Sequence, residues 1–352
     1  MMTPVLSIII PFHNAEATLA RCLESVLTQS YREIEVVCIN DGSTDGSMAV
    51  LRQCAAKDSR IRKYVFEKNY GIVISIKMAL LNAKGKYIMF VDADDRMLPG
   101  ACENAVRLIE EHGVDILQFA MNITVANGAD ISGFLRNFQY KPMASEGSNL
   151  LYDCYTLHRF PHNYYNKIFR GEICRKAVET MPDLNIRQFA DLYLAFFFLY
   201  YAKTFRSVAD GPYYEYSFGN GISTREPDEK QFADLCASSA ILPAIEWFLK
   251  RENALEQNQF LLDAIGTILK MDVVNKLLML PEITKETVEL AVKSWGSEVI
   301  YDFLAETGLF DIPCTSRYQL IPALVDQIRK QKGTPASSVA VPASSPAGQP
   351  AK

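Results

Sequence analysis

KYIMFVDADD, residues Lys86–Asp95, decides how the rest of the chain is read. Tyr87, Ile88, Met89, Phe90 and Val91 form an apolar run of aromatic and β-branched residues, the composition of a buried strand. It stops abruptly at Asp92, Asp94 and Asp95. Three carboxylates cannot stay inside that core without partners. They belong at the strand's carboxyl end, where open α/β sheets bind their ligands. Carboxylates clustered there suit a hard divalent cation, and such a cation suits a phosphate-bearing substrate. The plain alternative is an acidic turn that ends the strand and caps the next helix.

Working outward, Val5–Ile10 reads as a second buried strand, ended by Pro11, and Ile34–Ile39 as a third, ended by Asn40-Asp41-Gly42-Ser43. Between them Leu19, Leu23, Val26 and Leu27 fall at helical spacing within Ala15–Gln29. Ser43 or Thr44 is placed to cap a helix through Met48, Val50 and Leu51. Arg62–Phe66 reads as a short strand and Ile72–Ala83 as a helix stopped near Gly85. This alternation is that of a parallel, doubly wound sheet. It sets Asp41 and Asp92 on one edge, where a nucleotide crevice is expected. Pro11-Phe12-His13-Asn14 follows the first strand, so no G-x-G-x-x-G fingerprint stands there, and no G-x-x-x-x-G-K-[ST] loop occurs anywhere. Phosphates would have to be met by a cation or basic side chains.

The blocks SIIIPFHNAE (Ser7–Glu16), INDGSTDGS (Ile39–Ser47), EKNYGI (Glu67–Ile72) and AKGKYIMFVDADD (Ala83–Asp95) together resemble the inverting family 2 glycosyltransferases of GT-A fold, of the bacterial polysaccharide and glycolipid type. A looser likeness runs from NKIFR (Asn166–Arg170) to YYEYSFGNGIST (Tyr213–Thr224). The resemblance implies a nucleoside pocket lined by Pro11, His13 and Asn14, with His13 where the family usually has Tyr. It implies that Asp41 hydrogen-bonds the base, typically uracil. It makes Asp94 the metal ligand, with Asp92 nearer the ribose and also available to the metal. Asp95 faces the sugar or supports the loop. The implied cofactor is a divalent cation, Mn²⁺ or Mg²⁺. The family's general base comes from a Glu-Asp pair opening an apolar helix; here Asp191 holds the Asp position and Ala190 replaces the Glu. Read without the family, Asp191 is an N-terminal helix cap.

Three departures accompany these matches. Ser75-Ile76-Lys77 stands where the family often has Ala-Arg-Asn, which leaves Lys77 to contact the diphosphate. The Glu of the pair is missing. The family's Tyr-Arg element reads Tyr216-Ser217. They leave open a degenerate, non-catalytic relative that binds nucleotide-sugar or glycan, or that serves as a partner subunit. A nucleotidyltransferase on a similar sheet would call for a glycine-rich, basic loop after the first strand, which is absent. The implied activity is transfer of a sugar from a nucleotide-diphosphate donor, a UDP-sugar, to a hydroxyl of a glycan or glycolipid.

The expected architecture is a GT-A-like, Rossmann-like α/β domain with a mostly parallel sheet over 1–225, a smaller all-α domain over 226–332, and a disordered Pro/Ala/Ser-rich tail over 333–352. Helical spacing covers Phe232–Leu249, Asn258–Met279, Thr284–Glu306 and Arg317–Lys330. The basic end of Tyr318–Lys332 offers a peripheral contact with an anionic membrane at the inner face of the plasma membrane, or simply a solvated helix end. A formal net charge of −5 gives no support for a nucleic-acid partner. The chain's eight cysteines, without C-x-x-C pairs, read as reduced core residues of a cytoplasmic protein, and Met1-Met2-Thr3-Pro4 leads into the first strand without an apolar leader. Leu192–Ala202, too short to span a bilayer, reads as a core helix. His158 and His162 read as loop residues without acidic partners.

Overall fold

The computed structural model describes residues 4–125, 131, 142–147, 149–219, 228–280 and 284–296. Four parallel strands form one half of an eight-stranded sheet: β1 (Leu6–Phe12), β2 (Ile34–Asp41), β3 (Ile61–Phe66) and β4 (Tyr87–Phe90), in the order β3-β2-β1-β4. Every residue of β1 and β2 is buried, which is why both read as unbroken apolar runs. The helices α1 (Leu19–Leu27), α2 (Ser47–Lys57) and α3 (Ile72–Asn82) supply the crossovers.

Beyond β4 come β5 (Arg96–Met97), α4 (Ala101–His112), β6 (Ile116–Gln118), β7 (Met121–Val125), β8 (Met143–Glu146), α5 (Asn149–Tyr155), β9 (Lys167–Arg170), α6 (Gly171–Thr180), α7 (Ala190–Tyr201), β10 (Thr204–Ser207) and β11 (Tyr214–Phe218). The sheet continues as β9-β6-β10-β8, with β9 antiparallel to both β4 and β6, and β8 antiparallel to β10. It is therefore a mixed sheet that is mostly parallel, as expected: β6 and β10 pair in parallel and run with β1–β4, and only β9 and β8 are reversed. A second sheet, β5-β11-β7, stands beside the acidic turn.

Two local expectations change. β1 runs through Pro11, which pairs with Ile39, instead of stopping before it. On the other side β1 pairs with β4 only as far as Ile9, so Pro11 lies where that flank needs no donor. Helix α2 starts at Ser47, not after Ser43 or Thr44. Asp45 instead takes the Ser47 N–H (3.0 Å), while Ser43 donates its N–H to Asn40 in a tight turn (2.9 Å). Gly42 in that turn has φ +66°, and a side chain there would meet the Lys68 backbone at 2.3 Å.

Helix α7 is buried from Leu192 to Leu199, so its apolar run is a core helix as expected. The C-terminal segment contributes α8 (Glu229–Cys236), a 3₁₀ turn (Ala237–Ala240), α9 (Ile241–Arg251), α10 (Leu255–Met279) and α11 (Lys285–Trp295). Phe248 of α9 packs edge-on against Phe197 and Tyr200 of α7 at 4.8 and 4.9 Å, so these helices share the core of the α/β half. Glu229–Arg251 is long and apolar enough to cross a membrane, yet half of its most apolar window is buried inside the protein. The helix expected over Arg317–Lys330, the basic end at Lys332 and the tail over 333–352 lie outside the described residues, as does the part of Thr284–Glu306 beyond 296. Cys22, Cys38, Cys54, Cys102, Cys154, Cys174 and Cys236 are free thiols, all buried except the half-buried Cys54.

Candidate active site

The carboxyl edge of the parallel half carries the site. Asp41 ends β2, and Asp92 follows two residues after β4, with β1 between them. Two strand spacings separate these ends, about 10 Å. Asp41 is buried, and its carboxylate accepts the N–H groups of Tyr70 (2.7 Å) and Gly71 (2.9 Å) at the start of α3. His13 is exposed, with Nδ1 2.7 Å from the Asp41 carbonyl. Asn14 adopts φ +53° and accepts the Thr44 N–H (2.8 Å), which ties the loop after β1 to the loop after β2. Pro11, His13, Asn14 and Asp41 therefore lie together. Asp41 is also a structural hub, which sequence reading did not foresee. Asp41→Ala is expected to lower the unfolding free energy by about 1–3 kcal/mol without any nucleotide, the cost of orphaning buried donors. Urea denaturation checks this; an unchanged midpoint would mean that the two bonds contribute nothing net.

The acidic turn is held from three directions. Tyr214 of β11 donates its hydroxyl to Asp95 Oδ2 (2.6 Å) and accepts the Asp92 N–H (3.2 Å). The Ser217 N–H donates to Asp95 Oδ1 (2.7 Å). Tyr164 donates to Asp92 Oδ1 (3.1 Å). Asp95 is 1% exposed, so within its two alternatives it supports the loop. Burial, with Asp94 adding like charge, pushes the Asp95 carboxyl up to about 7. Burial followed by the charges of Asp95 and Asp94 drives Asp92 well above the carboxylate range, and burial raises Asp94. A cluster of this kind resists full ionisation until a cation arrives. Its oxygen donors suit Mn²⁺ or Mg²⁺. Among the described residues no three Asp, Glu, His or Cys side chains are already arranged around a common metal position. A cation held by Asp94 and Asp92 would draw its remaining ligands from substrate oxygens or water.

Asp191 faces the same cluster. Its charge adds to the upward pull on Asp92 and on the Tyr164 and Tyr165 hydroxyls. It occupies the first turn of α7 rather than the cap position, which Phe189 takes with φ +58°. A left-handed aromatic residue costs about 1–3 kcal/mol and tends to persist where a functional site needs it. Asp191 Oδ1 accepts the Leu192 N–H (2.8 Å), while Oδ2 lies 3.8 Å from His162 Nε2. His162 thus does have an acidic neighbour, contrary to the sequence reading. It stacks on Tyr155 (6.2 Å between centroids), and burial lowers its pKa, so the imidazole is neutral at pH 7. Ala190, in place of the family's Glu, is buried.

The loop 162–166 therefore touches both carboxylate groups, through His162 and through Tyr164. Asn163 and Asn166 bond each other (2.8 Å), and buried Lys167 donates to the Asn163 carbonyl and side chain (2.6 and 2.7 Å). Burial pulls the Lys167 ammonium down to about 7, against the attraction of Cys154 and Asp191. Its unfolded value is roughly 10.4. Between these values the unfolded chain binds more protons, so stability should rise with pH across that window. Relative to Lys167→Met, the unmutated protein should gain stability between about pH 7 and pH 9.5 in chemical denaturation. A constant gap would mean that Lys167 remains charged throughout.

Lys77 is not brought to the acidic turn. Its ammonium pairs with Asp183 and reaches the Met181 carbonyl (3.4 Å). The expected diphosphate contact through Lys77 is thus not supported by its placement. Arg21 of α1 is at the turn instead, donating to the Asp94 carbonyl (2.7 Å). The loops over 124–147 lie partly outside the described residues.

Residues 7–169 match the family described as Glycosyl transferase family 2. Among similar proteins, Glycosyltransferase GlyA of Streptococcus pneumoniae is 37% identical over 111 residues, covering 32% of this chain and 16% of that protein. The uncharacterized glycosyltransferase YibD of Escherichia coli is 35% identical over 116 residues, covering 33% of each. The chain thus spans a third or less of the length of these curated relatives. Residues 1–349 of S. aureus TarS, solved in complex with UDP-GlcNAc, align over 86% of this chain and 92% of that one, with a TM-score of 0.53 and 19% identity, a likeness of fold.

Proposed function

We propose that this chain, classed as a family 2 glycosyltransferase through residues 7–169, transfers a sugar from a nucleoside diphosphate donor, a UDP-sugar, to a hydroxyl of a glycan or glycolipid with inversion. The observation that carries this reading is that the loop 162–166 joins Asp92, beyond the carboxyl end of β4 and beside Asp94, to Asp191 in the first turn of α7, through Tyr164 and His162. The pocket of Pro11, His13, Asn14 and Asp41 takes the nucleoside, with a free lone pair of Asp41 accepting the N3–H of uracil. Asp94, with Asp92, would hold Mn²⁺ or Mg²⁺, which would supply positive charge to offset that of the departing diphosphate. Asp191 takes the proton of the acceptor hydroxyl as its oxygen attacks the anomeric carbon. The bond from that carbon to the diphosphate oxygen breaks on the opposite face, so configuration inverts. A cytoplasmic site of action, with peripheral contact at the inner face of the plasma membrane through the C-terminal helices, belongs to the same reading.

The experiment is incubation of the purified chain with a panel of nucleotide sugars and Mn²⁺, with and without extracted glycolipid acceptors, and detection of free nucleoside diphosphate. UDP release from one UDP-sugar, increased by acceptor, is the expected result. Tight UDP-sugar binding with no turnover for any acceptor would favour the non-catalytic relative. Preferred binding of GDP or ADP over UDP would overturn the uracil assignment.

A further inference from the structure

The acidic turn gathers negative charge that a cationic side chain of the protein could offset. Three carboxylates crowd it, and a diphosphate brings further negative charge to the same place. The other candidate cations are engaged elsewhere. Lys77 is paired with Asp183. Arg96 grips Glu215 through Nε (2.8 Å) and Nη2 (2.6 Å).

Arg21 differs. Its described hydrogen bonds use only Nη2, to the Asp94 carbonyl (2.7 Å) and weakly to Ser217 Oγ (3.4 Å). Neither partner is charged, and the side chain is exposed. The guanidinium keeps further N–H donors on Nε and Nη1. Its position is well determined, because α1 runs beneath the turn. Cys22 Sγ lies 3.5 Å from the Asp92 carbonyl, Ser25 Oγ accepts the Met97 N–H (3.1 Å), and Gln29 donates to the Leu98 carbonyl (3.0 Å). Arg21 is the solvent-facing member of this row, fixed to the backbone of the residue whose carboxylate is assigned to the metal. Its charge is felt by the Asp94 and Asp95 carboxyls, both drawn downward by it against the effect of burial.

We infer that Arg21 is the protein's own cation for the donor diphosphate, a substrate-binding residue that does the work first expected of Lys77. The inference rests on the proposed nucleoside diphosphate donor. A guanidinium with N–H donors left on Nε and Nη1 offers phosphate oxygens more fixed, directional hydrogen bonds than an ammonium does.

The test is calorimetry on the full chain in Mn²⁺ with UDP and with uridine, using the unmutated protein, Arg21→Gln and Arg21→Lys. Gln can still donate to the Asp94 carbonyl but carries no charge. Arg21→Gln is expected to weaken UDP binding by about tenfold or more, the worth of a charge-assisted hydrogen bond, and to leave uridine binding unchanged. Arg21→Lys should retain part of the difference. If Arg21 only braces the turn, UDP and uridine will weaken together or neither will change, and either result overturns the inference. UDP binding that survives Arg21→Gln rejects Arg21 alone. No UDP binding by the unmutated protein rejects the donor reading, and the role of Arg21 with it.

Discussion

Asp191→Asn is expected to lower sugar transfer by ~10²–10⁴-fold, the usual contribution of a general base. The substitution isolates proton acceptance from everything else that Asp191 does. An Asn side chain can still take the Leu192 N–H that Asp191 Oδ1 accepts at 2.8 Å. It keeps the size of the side chain. Donor affinity and melting temperature should therefore barely move. A residue that only completed the first turn of α7 would behave differently, because Asn serves a helix start about as well as Asp. Transfer at the unmutated rate would remove Asp191 from the mechanism, and Asp183 and Glu172 would be the next carboxylates to test. Hydrolysis of the donor by water is a weaker readout, since it depends less on a base.

The second large effect is expected at Asp94. Asp94→Ala should abolish the Mn²⁺-dependent part of UDP binding measured by calorimetry. The substitution leaves the Asp94 carbonyl, and hence its bond from Arg21, in place. It also removes one like charge from beside Asp95 and Asp92, which relaxes the crowding that raises their pKa values. The variant should consequently fold and bind uridine normally while losing its response to metal. Equal UDP affinity with and without Mn²⁺ in the unmutated protein would sink the metal assignment at its root.

What the sequence made legible follows from what local patterns encode. Three buried strands and a short fourth, with helical spacings between them, place Asp41 and Asp92 on one edge, and the structure has them there. The reversal of β9 was not legible, because Lys167–Arg170 looks the same in either direction. Pro11 within β1 was misread because strand ends were taken from the residue itself and not from how far β4 extends. The Tyr164 and Tyr214 contacts to the acidic turn span 72 and 122 residues, beyond any periodicity. The doubled tyrosines Tyr164-Tyr165 and Tyr213-Tyr214, each beside a family-like block, were the available signal. Lys77 was assigned to the diphosphate by nearness in sequence, but its helical phase turns it toward Asp183. In the sequence Arg21 is one polar position among the helical spacings of Ala15–Gln29, and nothing local shows that α1 runs under the turn.

One consequence concerns how such a protein can change its chemistry over generations. The loop from His162 to Asn166 borders Asp92 through Tyr164 and Asp191 through His162. A substitution that reshapes it to admit a different incoming hydroxyl will also disturb Asp92, whose carboxylate Tyr164 holds. The two preferences of the protein cannot drift separately through this loop. New partners on the incoming side would therefore arise most readily from segments that leave these five residues untouched.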